Sequence, residues 1–244
     1  SGPDALAVVD DITTRNMAMI PPGRSAYGPT LTEQGTICDD TIIFNMGDDG
    51  YMVVHGTGHA MARLTESADG KEVTIRIDDN LHDISLQGPK ATMFLNEFTP
   101  LNLATLKYFH QERTELFGHS VIISRTGYSG ERGYEIFAGA DVVGDLWDKI
   151  LEKGASIGII HCSFDCLDKT RVEAGLLFYP YDMDETTSVW EVGLGWAMAQ
   201  NGAPYRGKNA AMALKGKERI KLVALVFDHS EDLKGGEKLM LDGV

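Results

Sequence analysis

The sequence predicts an α+β fold of mixed, mainly antiparallel sheets with flanking helices. Short runs rich in β-branched and aromatic residues recur along the chain. Several are joined by turns too short for a parallel crossover, and segments with helical apolar spacing lie between them.

In chain order, residues 3 to 11 read as a helix, with Pro3 and Asp4 in the first turn and Ala5, Leu6, Val8 and Val9 at helical spacing. A turn-rich stretch follows. DDTIIFNM and GYMVVHG then read as the strands of a hairpin around GDDG. Residues 57 to 66 suit a helix, KEVTIRI and HDISLQ suit strands, and GPKATMFLNEF opens a helix behind Pro89. HSVIIS and GYEIF read as further strands, residues 140 to 153 as a helix carrying Leu146, Trp147 and Ile150, and 165 to 175 as another. LLFYPYDMDETTS holds too many aromatics and acids for an idle linker. Near residue 202 the composition turns to a Gly-, Lys- and Ala-rich helix followed by the strand IKLVALVF. The expected division is an α+β subdomain over 1–80, a second over 81–200 and the start of a C-terminal β domain over 201–244. SGPDALAVVDDI opens in a helix with nothing before it and GEKLMLDGV stops on a strand and turn, so the expectation is an incomplete chain.

The 244 residues are 43% hydrophobic and 24% charged, the balance of a globular protein. A formal net charge of -14 argues against a surface that tracks phosphates, so nucleic acid and anionic membrane are set aside as partners. No apolar run approaches the roughly 18 to 20 residues that cross a bilayer, and the first residues lack a signal-peptide pattern. Cys38, Cys162 and Cys166 are too few and too uneven for a disulfide framework, which fits a reducing, intracellular setting.

Gly127, Gly130 and Gly133 in RTGYSGERGYEIF do not have the GxGxxG spacing, and Gly133 leads into a strand where a dinucleotide loop needs a helix. They suit a glycine-bearing hairpin. Alternation in GYEIF puts Tyr134 and Ile136 on one face and Glu135 with Phe137 on the other. A carboxylate so flanked either faces solvent or is aimed into a pocket. Asp39 and Asp40 precede a strand, where acids commonly bond nearby amides, and only one of two adjacent strand residues can point into a site. His55 and His59 have a zinc-like spacing, but GTG between them argues for a loop and the acid of HExxH is missing. His161, Cys162 and Cys166 read more simply as inert thiols beside a histidine than as a metal or nucleophile site. Asp168 and Arg171 suit a helix ion pair.

Taken together, GTICDDTIIF, YMVVHG, ISLQGPKA, SRTGYSGERGYEIF, TRVEAGLLFYPYDMDE and VGLGW, followed by YRGKNAAMAL, resemble the tetrahydrofolate-dependent aminomethyltransferase family. Its type member is the T-protein of the glycine cleavage system, and the motifs occur in family order across nearly the whole chain. The resemblance implies a folate-binding aminomethyltransferase-like architecture, with two folate-binding subdomains and a truncated C-terminal β-barrel. It makes Glu135 the acid that holds the pterin ring, Tyr128 a pterin-side tyrosine, Tyr27 and Tyr179 folate-pocket aromatics, and Arg171, the arginine retained before the EAG turn, a further cofactor-binding residue. Asp40 resembles the catalytic aspartate, with Asp39 facing away. The implied cofactor is tetrahydrofolate, no metal is required, and the reaction is one-carbon transfer to N5 of the folate.

Two departures fall on the donor side. Leu167 stands where the family pattern has its first arginine, and His55 where it has asparagine. The donor is then either the aminomethyl group of a lipoyl carrier protein or a methyl group on nitrogen, oxygen or sulfur of a small molecule. Other expectations are a non-catalytic folate-binding module and the folate module of a larger flavin-dependent oxidase. The branch that assists iron–sulfur assembly carries a KGCYxGQE-type cysteine, which RTGYSGERGYE lacks. The family places such a chain in the bacterial cytoplasm or, in eukaryotes, the mitochondrial matrix.

Overall fold

A computed structural model describes residues 1–56, 59–202 and 204–226. The elements in order are α1 (Ala5–Ile12), β1 (Ser25–Leu31), β2 (Ile37–Asn45), β3 (Tyr51–His55), α2 (His59–Ser67), β4 (Leu81–Gln87), α3 (Ala91–Leu95), β5 (Gln111–Leu116), β6 (His119–Ser124), β7 (Gly133–Gly139), α4 (Ala140–Gly154), α5 (Phe164–Glu173) and α6 (Lys208–Leu214). They form a three-stranded sheet, β1-β2-β3, and a four-stranded sheet, β4-β7-β6-β5. Every pairing in both is antiparallel.

Strand alternation explains how the sheets pack. On one face of β2, Ile43 joins Val8, Val9 and Ile12 of α1 and Leu64 of α2 in a buried cluster. On the other face, Phe44 meets Ile122 of β6 and Phe137 of β7, with Ile42 alongside. The Phe44 and Phe137 rings lie edge to face, 5.5 Å between centroids and 79° apart. In the second sheet, Ile84, Leu86, Ile123, Tyr134 and Ile136 turn outward onto Phe94 and Leu95 of α3 and Leu146 and Ile150 of α4. The two sheets therefore face one another through Phe44 and Phe137, with helices on their outer sides. A further cluster brings Tyr179, Met183 and Val189 back onto Leu31 and Ile37 of the first sheet.

The β2–β3 hairpin, β4, β6, β7 and the helices behind Gly139 and Ser163 match the sequence expectations. β1 and β5 were not foreseen. SAYGPTL holds a glycine and a proline, which read as a turn, but β1 is an edge strand and tolerates Pro29. Gly28 is needed there because a Cβ would fall 2.6 Å from Thr13 Oγ1. β5, QERTEL, is an edge strand with only Gln111 and Leu116 buried, so its polar surface hides its period.

KEVTIRI, expected as a strand, joins neither sheet. Its backbone hydrogen bonds go to the N-terminal residues: Asp4 N donates to Glu72 O at 3.2 Å and Thr74 N to Ser1 O at 2.7 Å. Residues 220–226 of IKLVALVF likewise form no strand, and Ile220, Val223, Leu225 and Val226 are exposed, with no neighbouring strand among the described residues to pair them. The rest of that run and GEKLMLDGV lie outside the described residues. Among those described, no helix is long and apolar enough to cross a membrane.

Phe137→Ala should destabilise the protein by about 3–5 kcal/mol, since it empties the contact between the sheets. Denaturant unfolding measures this, and a loss below about 1 kcal/mol would mean the sheets do not depend on that contact.

Candidate functional site

The segment RTGYSGERGYEIF connects β6 to β7, and its glycines have specific neighbours. A Cβ on Gly127 would fall 2.2 Å from Gln87 Oε1, and one on Gly133 would fall 2.0 Å from it. The slot so opened admits the Gln87 amide, whose Nε2 donates to Thr126 O at 3.3 Å and Tyr134 O at 3.2 Å. Gln87, at the end of β4, thus ties together the two ends of the loop. Gly130 has φ +76°, and a Cβ there would lie 2.4 Å from Ala174 Cβ in the cap of α5. The loop is consequently held between β4 and the EAG turn.

Glu135 follows on β7, with Ser85 of β4 and Ser124 of β6 opposite it in register. Alternation puts it on the Phe137 side, which faces the first sheet. Its Oε2 accepts a short hydrogen bond from the Thr126 hydroxyl. Burial raises its pKa, and the Thr126 bond pulls the other way.

Asp40 occupies the matching side of β2, in line with Ile42 and Phe44. Its Oδ2 accepts from Tyr27 Oη at 2.9 Å. Burial, opposed by that bond and helped by the Asp39 charge, pushes its pKa up to about 6. Asp39 is fully buried on the opposite side, where its Oδ2 accepts from Ala60 N at 3.1 Å and its Oδ1 from Asp40 N at 2.8 Å. Asp39 therefore bonds backbone amides, and Asp40 faces the second sheet.

Around Asp40 the lining is aromatic. The Tyr27 ring stacks on Trp196, 6.3 Å between centroids, and Trp196 is 65% exposed. Tyr128 donates its hydroxyl to Leu177 O. Its pKa is raised to about 12 by burial first, with the Arg171 charge lowering it and the Asp40 charge raising it. Tyr128, Arg171 and Asp40 thus share one neighbourhood. Arg171 is itself 6% exposed and engaged by protein. Its Nε donates to Asp168 Oδ1 at 2.8 Å and its Nη1 to Leu176 O at 3.1 Å and to Asp182, which also accepts from Phe178 N at 2.9 Å. It braces the turn that carries the acceptor of Tyr128.

The remaining expected residues lie elsewhere. Tyr179 packs on Ile37 and against the His59 ring at 5.9 Å, on the α2 side of the first sheet. His55 pairs in register with Thr41 and places Nδ1 3.9 Å from Asp39 Oδ2, so it takes the Asp39 side rather than the Asp40 side. Leu167 lines a cavity of about 670 Å³ at the β4 edge, with Trp147, Phe164, Asp83 and Gln87. Among the described residues no group of His, Cys, Asp or Glu is placed to hold a metal ion. Sequence reasoning missed Gln87, Thr126 and Trp196, although each stands within a motif it quoted. The unpaired glycine spacing was the one available signal for Gln87.

These features define the class: an α+β protein whose two sheets each present a half-buried carboxylate toward the other, framed by tyrosines. The chain belongs to the family described as the GCVT N-terminal domain, which residues 1–202 match. It is 43% identical over 251 residues to the heme-dependent oxidative N-demethylase gamma subunit of Ectopseudomonas mendocina (strain ymp), covering 99% of this chain and 66% of that protein. It is 32% identical over 217 residues to the aminomethyltransferase of Halothermothrix orenii, covering 88% of this chain and 61% of that one. The glycine cleavage system aminomethyltransferase T from Bartonella henselae superimposes with a TM-score of 0.79 at 27% identity, over 89% of this chain and 60% of its own. The chain spans 61% and 66% of the length of the two curated relatives.

Gly127→Ala should destabilise the protein by about 2 kcal/mol or more through overpacking against the Gln87 amide. In a Gln87→Ala background the same change should cost markedly less. A double-mutant cycle in urea tests the pair, and full additivity would separate them.

Asp40 supplies a pH test. Its folded pKa is raised, so its contribution to stability is fully present below about pH 4 and is lost as pH rises through about 6. Asp40→Asn should therefore be more stable than the parent by roughly 1–3 kcal/mol at pH 8 and no more stable at pH 4. Denaturant titrations at the two pH values check the sign.

Proposed function

We propose that the chain is the folate-binding and catalytic part of a tetrahydrofolate-dependent one-carbon transferase, moving a methyl or aminomethyl-derived carbon to N5 of tetrahydrofolate. The observation that carries the reading is the pair of half-buried carboxylates, Asp40 and Glu135, on the facing sides of two sheets in a chain of this family. The residues fit the cofactor. Glu135 has one oxygen held by Thr126, and Oε1 takes no hydrogen bond among the described residues, which suits an acceptor for the N–H groups of a pterin edge. Tyr27, Tyr128 and the exposed Trp196 supply flat apolar surface around Asp40.

Bound tetrahydrofolate supplies N5 as a neutral nucleophile. Glu135 orients the ring, and positioning of this kind contributes several kcal/mol. Asp40, with a pKa near 6, is placed to hold or move a proton close to neutral pH as the leaving group departs. Tyr27 holds the Asp40 carboxylate in place through its hydroxyl. Arg171 acts by bracing the turn beside Tyr128, and Tyr179 by packing the first sheet.

The donor has two candidates. The relatives named aminomethyltransferase favour an aminomethyl group carried on a lipoyl protein. The relative named N-demethylase, with the higher identity, favours an N-methylated small molecule, as does the apolar Leu167 lining a cavity in place of a second arginine. That relative is a gamma subunit, which supports assembly with other subunits. We place the reaction in the cytoplasm and keep the division into subdomains at 1–80 and 81–200, with a β domain beginning at 201–244.

Full-length protein incubated with tetrahydrofolate and a panel of aminomethyl and methylated donors should yield 5,10-methylene- or 5-methyltetrahydrofolate, followed separately. Folate binding with neither product would reduce the protein to a binding module. Glu135→Ala should weaken folate binding by about 2 kcal/mol or more. Asp40→Asn should lower turnover more than affinity.

A further inference from the structure

Two buried hydroxyls lie behind Glu135, and the reading so far uses Thr126 only as a bond to one carboxylate oxygen. Ser124 ends β6, Thr126 follows it, and both side chains are inaccessible to solvent. The Thr126 Oγ1 lies 2.8 Å from Ser124 Oγ and within hydrogen-bond reach of Glu135 Oε2. One hydroxyl carries one proton, and an ionised carboxylate can only accept. The Thr126 hydroxyl is within donor reach of both Ser124 Oγ and Glu135 Oε2, and the charged carboxylate is the stronger acceptor for its one proton. We propose that Thr126 is a positioning residue for folate binding: its buried hydroxyl holds Glu135 by Oε2 and leaves Oε1 to the pterin edge. The proposal rests on the one-carbon-transfer reading above.

Geometry makes the constraint specific. Thr126 sits just beyond the last β6–β7 pair, Ser124 with Glu135, so its side chain reaches Glu135 from the loop end. Its own carbonyl is held by Gln87 Nε2 at 3.3 Å. A backbone fixed by Gln87 and a buried hydroxyl within reach of Oε2 leave Glu135 little freedom to turn away. Of the groups around Glu135, Thr126 lowers its pKa against the rise caused by burial. The titratable neighbour on β4 is Asp83, whose pKa is pushed up by loss of solvation and then by the Glu135 charge. Asp40 and Tyr27, bonded to each other, are titratable groups on the inward side of the facing sheet. Without the Thr126 donor the carboxylate keeps the burial and loses the bond that favours its charged form.

The test is the pH profile of tetrahydrofolate affinity in full-length protein, measured from pH 5 to 8.5 with a thermal melt at each point. Thr126→Val should bind roughly tenfold more weakly at pH 7, the scale of a lost hydrogen bond to a charged group. Its acidic midpoint of binding should move to higher pH, and Thr126→Ser should restore both. Thr126→Ala makes the same deletion and carries the test where Thr126→Val does not fold. Parental affinity and midpoint in Thr126→Val, or a loss equal at every pH, would overturn the positioning role. Glu135→Gln in parallel separates the two levels: if it binds as the parent does, the folate assignment of Glu135 fails first.

Discussion

The edge-to-face contact of Phe44 with Phe137 decides where the chemistry falls. Side chains alternate along a strand, so once Phe44 is turned inward, Ile42 and Asp40 turn inward with it. Phe137 does the same for Glu135. A slip of one residue in β2 would swap Asp40 for Asp39 and put the wrong acid between the sheets. The outward faces guard against that slip. Ile43 is committed to α1 and α2, and Tyr134 and Ile136 are committed to α3 and α4.

That arrangement sets a cost against itself. Two carboxylates are drawn out of water, and burial raises the pKa of both. Tyr27 donates to Asp40 and Thr126 to Glu135, which offsets part of the desolvation without filling the acceptor capacity of a carboxylate. By contrast the Arg171 guanidinium is bonded by Asp168, Asp182 and the Leu176 carbonyl. A group with unspent acceptors is suited to a ligand, and a saturated one to holding shape. The distinction separates residues that chemistry alone would have placed together.

Much of this was legible in the sequence for a physical reason. Period-2 alternation set Glu135 with Phe137 against Tyr134 and Ile136 and allowed only one of Asp39 and Asp40 into a site; the choice of Asp40 came from the family resemblance. β1 was illegible because an edge strand tolerates the glycine and proline that elsewhere mark a turn, and β5 because a polar edge strand shows little alternation. KEVTIRI misled in the opposite direction: its pattern is that of a strand, but strand formation needs a neighbour, and the N-terminal residues take its hydrogen bonds instead. His55 and Leu167 could be flagged as departures but not placed. The side that His55 takes depends on its register with Thr41, and the surroundings of Leu167 depend on how α5 lies against the β4 edge.

The glycines of RTGYSGERGYEIF suit a hairpin by their spacing, yet Gly127 and Gly133 are glycines on behalf of Gln87, a residue of a different strand. A side chain from β4 enters the loop, bonds both of its ends, and so fixes the backbone from which Thr126 reaches Glu135. Gly130 performs the equivalent service toward α5 by allowing Ala174 to approach. ISLQG, RTGYSG and RVEAG are therefore coupled by contact rather than being separate contributions to the site. A change in any one of them reaches the carboxylate through the loop, which makes the orientation of Glu135 a property of three segments and not of its own strand.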